Sequence, residues 1–188
     1  MEEGFNKLNN KIQKIVISGP ESTGKTFLAR DLAAHYHTAW IPEYARTYIS
    51  GLSREYNYND LVYIADKQIF ELNNLPENTN NLVFFDTGLI ITKIWFKEVF
   101  KKYPLWLDDE IKRNKPELYL LCYYDLPWQF DILRENGSEE RRAFLFEQYR
   151  EEIEKLGCKY QIIKGFKQER LNLALHIIDN FIQSNVRR

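Results

Sequence analysis

The chain has 188 residues, 44% of them hydrophobic, enough to close a core around one α/β domain. Its 26 basic and 27 acidic side chains leave a net charge of −1, so no overall field draws it to nucleic acid or to an anionic membrane. The first ten residues are polar and lack the apolar core of a secretory signal, and no segment approaches the ~18 uncharged apolar residues of a membrane span, which predicts a cytoplasmic protein.

Residues 1–12 are expected to be a flexible N-terminal segment of a single domain covering 1–188. Lys14 to Ser18 is a short β-branched apolar run, the pattern of a buried strand in a parallel sheet. From Thr26 the apolar residues Phe27, Leu28, Leu32, Ala33 and Tyr36 recur at helical spacing. Ala39 to Pro42 predicts a second strand, kept to an edge or a strand end by its proline, and Tyr44 to Ile49 a short helix. Asn59 to Leu72 is amphipathic, with Asn59 as the expected cap, and Pro76 and the Asn78–Asn81 run break it. Leu82 to Asp86 is a third strand ending in a carboxylate.

Helical spacing returns over Leu89–Phe100 and Trp106–Lys112, and Leu118 to Tyr123 is a fourth strand. Residues 125–143 are polar and irregular at first, which predicts a lid-like segment. Ser138 opens a helix to about Leu156, with Glu139 and Glu140 in the turn where carboxylates suit the helix dipole. Tyr160 to Ile163 is a fifth strand, and Leu171, Leu175, Ile178 and Ile182 mark a closing helix. Strands alternating with helices predict a three-layer α/β sandwich around a parallel sheet of about five strands. Cys122 and Cys158 show no metal-ligand spacing and read as plain buried thiols; the three histidines fit helix positions without a chemical partner.

Gly19-Pro20-Glu21-Ser22-Thr23-Gly24-Lys25-Thr26 fits G-x-x-x-x-G-K-[ST] at every fixed position, between a strand and a helix. There the glycines let successive N–H groups wrap a phosphate, Lys25 reaches the β- and γ-phosphates, and Thr26 offers its hydroxyl to Mg²⁺. The expected cofactors are therefore ATP and Mg²⁺. Asp86 stands where phosphate-loop proteins place the carboxylate of the magnesium site, against the alternative of a strand-end cap. Glu43, at the tip of the second strand, is placed to accept a proton from a substrate hydroxyl; a helix-capping glutamate is the plainer reading. Arg46, one helical step on, either holds a substrate or phosphate oxygen or pairs with Glu43. Between the fourth strand and the helix after it, Trp128, Asp131 and Arg134 form an aromatic and charged group, with Arg134 the candidate to meet the transferring phosphoryl group and Arg141 and Arg142 beyond it.

These residues together resemble the ribosylnicotinamide kinase domain of NadR-type proteins, a member of the NadR-like AAA domains within the phosphate-loop NTPases. The resemblance runs from about Lys14 to Ile182 and rests on the loop with its internal Glu21, on Glu43-Tyr44-Ala45-Arg46, on Phe85-Asp86-Thr87, and on Trp128 with Asp131, Arg134 and Gly137. It implies a kinase of NAD biosynthesis that phosphorylates the 5′-hydroxyl of nicotinamide riboside with ATP. Trp40, Glu43, Tyr44, Arg46, Asp86, Trp128 and Asp131 are then the substrate residues, with a flat base on Trp40 or Trp128. A kinase for another nucleoside or nucleotide, and an ATP-binding switch, are the other readings. The expected partner is a small-molecule nucleoside, with neither nucleic acid nor membrane, and the sequence sets no oligomeric state.

Overall fold

In the computed structural model, residues 12–130 and 137–186 are described. Five strands, β1 (Gln13–Ser18), β2 (Trp40–Ile41), β3 (Leu82–Asp86), β4 (Leu118–Cys122) and β5 (Tyr160–Ile163), form one sheet in the order β2-β3-β1-β4-β5. Every pairing is parallel. Among the described residues, seven α-helices connect or cover them: α1 (Lys25–His35), α2 (Tyr44–Ser50), α3 (Tyr58–Asn73), α4 (Leu89–Trp95), α5 (Trp106–Arg113), α6 (Glu139–Lys155) and α7 (Gln168–Val186).

The strands are apolar throughout because both faces of the sheet are covered. Alternation then divides each strand between two cores. Val16, Val83, Phe85, Tyr119 and Leu121 join the core under α3 to α6. Ile15, Ile17, Phe84, Leu120 and Cys122 join the core under α1 and α7. Phe84 is fully buried, and each such side chain contributes about 1.5–3 kcal/mol relative to an exposed one.

Register decides where the chemistry collects. β1 lies in the centre, with Ile17 opposite Asp86 on one side and Ser18 opposite Leu121 on the other. The chain leaving β1 therefore emerges beside the carboxyl ends of β3 and β4, at the crevice where open α/β sheets bind ligands.

Three local expectations change. The cap of α3 is Asn57, whose side chain accepts from the Asn59 and Asp60 amides while Asp60 accepts from the Asn57 amide. This reciprocal capping box satisfies two orphan donors, which Asn59 alone does not. The stretch from Leu89 to Phe100 is not one α-helix: α4 ends at Trp95 and residues Phe96–Phe100 are π-helical. Finally, Cys158 is only half-buried, whereas Cys122 is fully enclosed and burial pushes its thiol up to about 11.

Candidate functional site

The loop between β1 and α1 has the backbone its glycines allow. Gly19 has φ +139°, and a Cβ there would lie 2.6 Å from the Cys122 carbonyl oxygen, so the sheet leaves no room for a side chain. Gly24 caps α1 in the left-handed region at φ +74°, with no side-chain capping bond. The helix thus starts with its first amides turned into the loop, the arrangement that receives an anion. Thr23 Oγ1 and Lys25 Nζ both donate to the Pro20 carbonyl, at 2.9 and 2.8 Å, which folds the lysine charge over the loop. Ser22 exchanges hydrogen bonds with the backbone of Gln129, tying the loop to the segment that follows β4.

Two carboxylates meet this loop. Asp86 is 3% exposed; its Oδ2 accepts from Thr26 Oγ1 at 2.6 Å, and its Oδ1 is buried with no hydrogen-bond partner. Burial raises its carboxyl above the ordinary range, while Lys25, the Thr26 hydrogen bond and Arg46 pull it down. The next residue, Thr87, is held at φ +73°, costly for a β-branched side chain, with its amide donating to the Ile17 carbonyl at 3.0 Å. Glu43 is the N-cap residue of α2 but makes no capping bond with its side chain. Enclosure pushes its carboxyl up, opposed by Lys25, reinforced by Asp86, opposed by Arg46 and reinforced by Glu21. Glu43, Asp86, Lys25 and Arg46 consequently share one electrostatic neighbourhood.

A cleft of about 1170 Å³ runs from the loop past Glu43 and Arg46 to an aromatic and apolar far end. There Tyr56, from the 51–57 turn, and Trp95, at the end of α4, meet edge to face with ring centroids 5.1 Å apart. Trp95 Nε1 donates to the Tyr56 hydroxyl at 3.1 Å, which fixes the indole plane. Glu98 and Val99 follow into the cleft from the π-helical turn, a feature that re-aims side chains and recurs at functional sites. Arg141 of α6 closes the rim by pairing with Glu98 at 2.8 Å. Tyr149, also from α6, lines the wall, and burial raises its phenol with Glu21 and Glu43 adding repulsion.

The structure brings together most of the residues named from sequence and separates a few. Gly19 and Glu21 to Thr26 line the cleft with Glu43 and Arg46, and Pro20 supplies the carbonyl beneath them. Asp86 and Tyr44 instead border a small neighbouring cavity of about 10 Å³, Asp86 reaching the loop through Thr26. Trp40 packs into the core under α1 and α7, because strand alternation sends Ile41 to the other face. Trp128 lies edge-on to Phe130 and close against Gly137, where a Cβ would meet its ring at 3.0 Å, and it is not among the cleft-lining residues. The two candidate base platforms are thus absent from the cleft wall, and Tyr56 and Trp95 occupy it. Asp131 and Arg134 lie outside the described residues. Arg142 is buried and donates to the Leu126 carbonyl at 2.8 Å. Neither Tyr56, in the turn before α3, nor Trp95, inside a helical stretch, carries a motif; their convergence depends on how α3 and α4 pack.

Residues 14–170 match the AAA domain family AAA_28. The chain is 28% identical over 138 residues to the "Trifunctional NAD biosynthesis/regulator protein NadR" of Salmonella typhimurium, across 71% of this chain and 34% of that protein. A solved NadR protein in complex with NR superposes with a TM-score of 0.76 at 21% identity, over 90% of this chain and 49% of that one. The thymidylate kinase of Ehrlichia chaffeensis superposes with a TM-score of 0.60 at 11% identity, covering 90% and 98% of the two chains. The chain thus spans about a third of the curated relative's length and about half of the solved NadR chain. The fold is that of the nucleoside and thymidylate kinases, a phosphate-loop kinase-like domain around a parallel sheet.

Proposed function

The chain belongs to the AAA domain family AAA_28, and from that premise we propose that it is an ATP-dependent kinase acting on the 5′-hydroxyl of a nucleoside, with nicotinamide riboside the first substrate. The observation that carries the reading is that Glu43 and the phosphate loop line one cleft of about 1170 Å³, while Asp86 holds the hydroxyl of Thr26 in that loop. The likeness to NadR supports the acceptor, since a NadR protein has been solved in complex with NR and the present chain superposes on about half of it.

Each group then has a task. The loop amides and Lys25 bind the β- and γ-phosphates and offset the charge that grows on them. Magnesium fits the Thr26 and Asp86 pair, because Asp86 Oδ1 is buried and unpartnered while its Oδ2 holds the Thr26 hydroxyl. When bound, the ion would neutralise phosphate oxygens and leave the transferring group more electrophilic. Glu43 takes the proton of the 5′-hydroxyl as that oxygen forms its bond to the γ-phosphorus and the bond to the β,γ-bridging oxygen breaks, releasing ADP. A carboxylate raised by enclosure is the better base for this step, since its affinity for the proton lies nearer the working pH. Trp95 and Tyr56 offer the flat base a face, and an indole favours a cationic pyridinium over a neutral ring by roughly 0.5–2 kcal/mol.

The test is ADP release from ATP with nicotinamide riboside, nicotinic acid riboside, uridine, cytidine, thymidine and adenosine offered singly. Stimulation by the pyridine ribosides is the expected result. Stimulation by ordinary nucleosides alone would replace the acceptor, and ATP binding without stimulation by any acceptor would replace the kinase with a nucleotide switch.

A further inference from the structure

Arg170, in the first turn of α7, is 4% exposed, and its guanidinium donates to three backbone carbonyls and one carboxylate. Nη1 donates to the Thr23 carbonyl at 3.0 Å, Nε to the Gly165 carbonyl at 3.1 Å, and Nη2 to the Tyr123 carbonyl at 3.4 Å and to Asp125 Oδ1. Asp125 Oδ2 in turn accepts from the Gly165 amide at 2.8 Å. One buried cation therefore joins the phosphate loop, the end of β4 and the turn between β5 and α7. No motif signals it, because most of its partners are backbone carbonyls, and those of Thr23 and Tyr123 lie far away along the chain.

The bond to Thr23 has a specific geometric consequence. A planar trans peptide points its C=O and its N–H to opposite sides, so holding the Thr23 carbonyl toward α7 turns the Gly24 N–H toward the phosphate side of the loop. Gly24 needs such a lock. Glycine tolerates either sign of φ, and Gly24 at φ +74° has no side chain to oppose rotation of the preceding peptide. We propose that Arg170 is a positioning residue that locks the Thr23–Gly24 peptide with its amide facing the nucleotide phosphates, and that through Asp125 and Gly165 it holds the flanking turns in register with the loop. Those turns carry Leu126, Pro127 and Phe166, which line the same cleft. A lysine cannot replace it, because a single ammonium does not span Thr23, Gly165 and Asp125 at once.

The inference rests on nucleotide binding by the loop and not on the acceptor, so it is tested by binding alone. Calorimetric titration of the whole chain with ADP and with adenosine, in magnesium, compares wild type with Arg170→Lys and Asp125→Asn. Arg170→Lys is expected to weaken ADP binding about 10- to 100-fold, the range for one charge-assisted hydrogen bond, with adenosine changed by less than about threefold. Asp125→Asn leaves the Thr23 bond in place and is expected to weaken both ligands by one small common factor. In wild type labelled with ¹⁵N-glycine, the Gly24 amide resonance is expected to shift on ADP addition. Unchanged ADP affinity in Arg170→Lys, or equal loss for ADP and adenosine, would reduce Arg170 to a fold brace and overturn the proposal. A Gly24 amide unmoved by ADP would overturn it without any variant, and a wild type that binds no ADP would remove the nucleotide reading beneath it.

Discussion

The two ends of the cleft are built in opposite ways. The phosphate end is one contiguous segment, Gly19 to Thr26, whose shape follows from two glycines at positive φ and a helix that starts at once. The acceptor end is assembled from the head of α2, the 51–57 turn, α4 with its π-helical extension, and α6. A backbone-built site recognises a group common to many ligands, whereas a wall of side chains from four elements can be changed piece by piece. Phosphate binding should therefore fail sharply under small changes, and acceptor choice should shift gradually.

The largest effect on turnover should come at Glu43, where the two ends of the cleft meet and the proposed proton transfer takes place. Glu43→Gln is expected to lower turnover by roughly 10²–10⁴-fold, the range for a lost general base, while ATP affinity stays within about twofold. Stopped turnover with unchanged nucleotide titration is the signature; normal turnover would make Glu43 structural. Lys25→Ala should follow, with turnover down roughly 10²–10³-fold, as for loss of one charge-stabilising donor, and little change in melting temperature. The contrast sharpens at Gly19→Ala. There the methyl would meet the Cys122 carbonyl at a φ that L residues avoid, and stability should fall by about 1–3 kcal/mol along with ATP binding, read from denaturant unfolding.

At the other end, Trp95→Ala should raise the KM for the nucleoside about tenfold, from loss of an aromatic face worth about 0.5–1.5 kcal/mol together with buried area, and leave the KM for ATP unchanged. An equal rise on Trp128→Ala and none on Trp95→Ala would move the base site from α4 to the segment after β4.

The smallest expected effect is in pH. Glu43 and Asp86 are both raised by burial, so each binds its proton more tightly folded than unfolded. Their contribution to stability is present below the ordinary carboxylate range and is lost as pH rises through their raised values. Turnover runs the other way, since the base must be ionised, so its acid limb should lie above the ordinary glutamate range. Glu43→Gln should remove part of the stability loss at neutral pH, and a variant less stable than wild type there would contradict the burial argument.

Legibility in the sequence follows the same division. The strands were readable because a sheet covered on both faces needs unbroken apolar runs, and the phosphate loop because its requirements fall on adjacent residues. The position of Asp86 at the end of β3 is readable from its apolar run, and that of Glu43 from the proline that ends β2 just before it. The cap of α3 was misplaced because Asn57 and Asn59 are equally good caps in isolation, and only the Asp60 carboxylate reaching back selects Asn57. The π-helical turn after Trp95 left no mark in the apolar spacing of 89–100.

The sequence by itself determined the order of strands and helices, the phosphate loop, and which carboxylates end the strands, since each depends on neighbours within a few residues. Tertiary structure alone decided the rest. It sent Trp40 to the core under α1 and α7, because one residue of strand alternation reverses the face, and it brought Tyr56 and Trp95 together through the packing of helices. It also placed Arg170 against Thr23, 147 residues away along the chain, through hydrogen bonds to backbone atoms that every sequence carries alike.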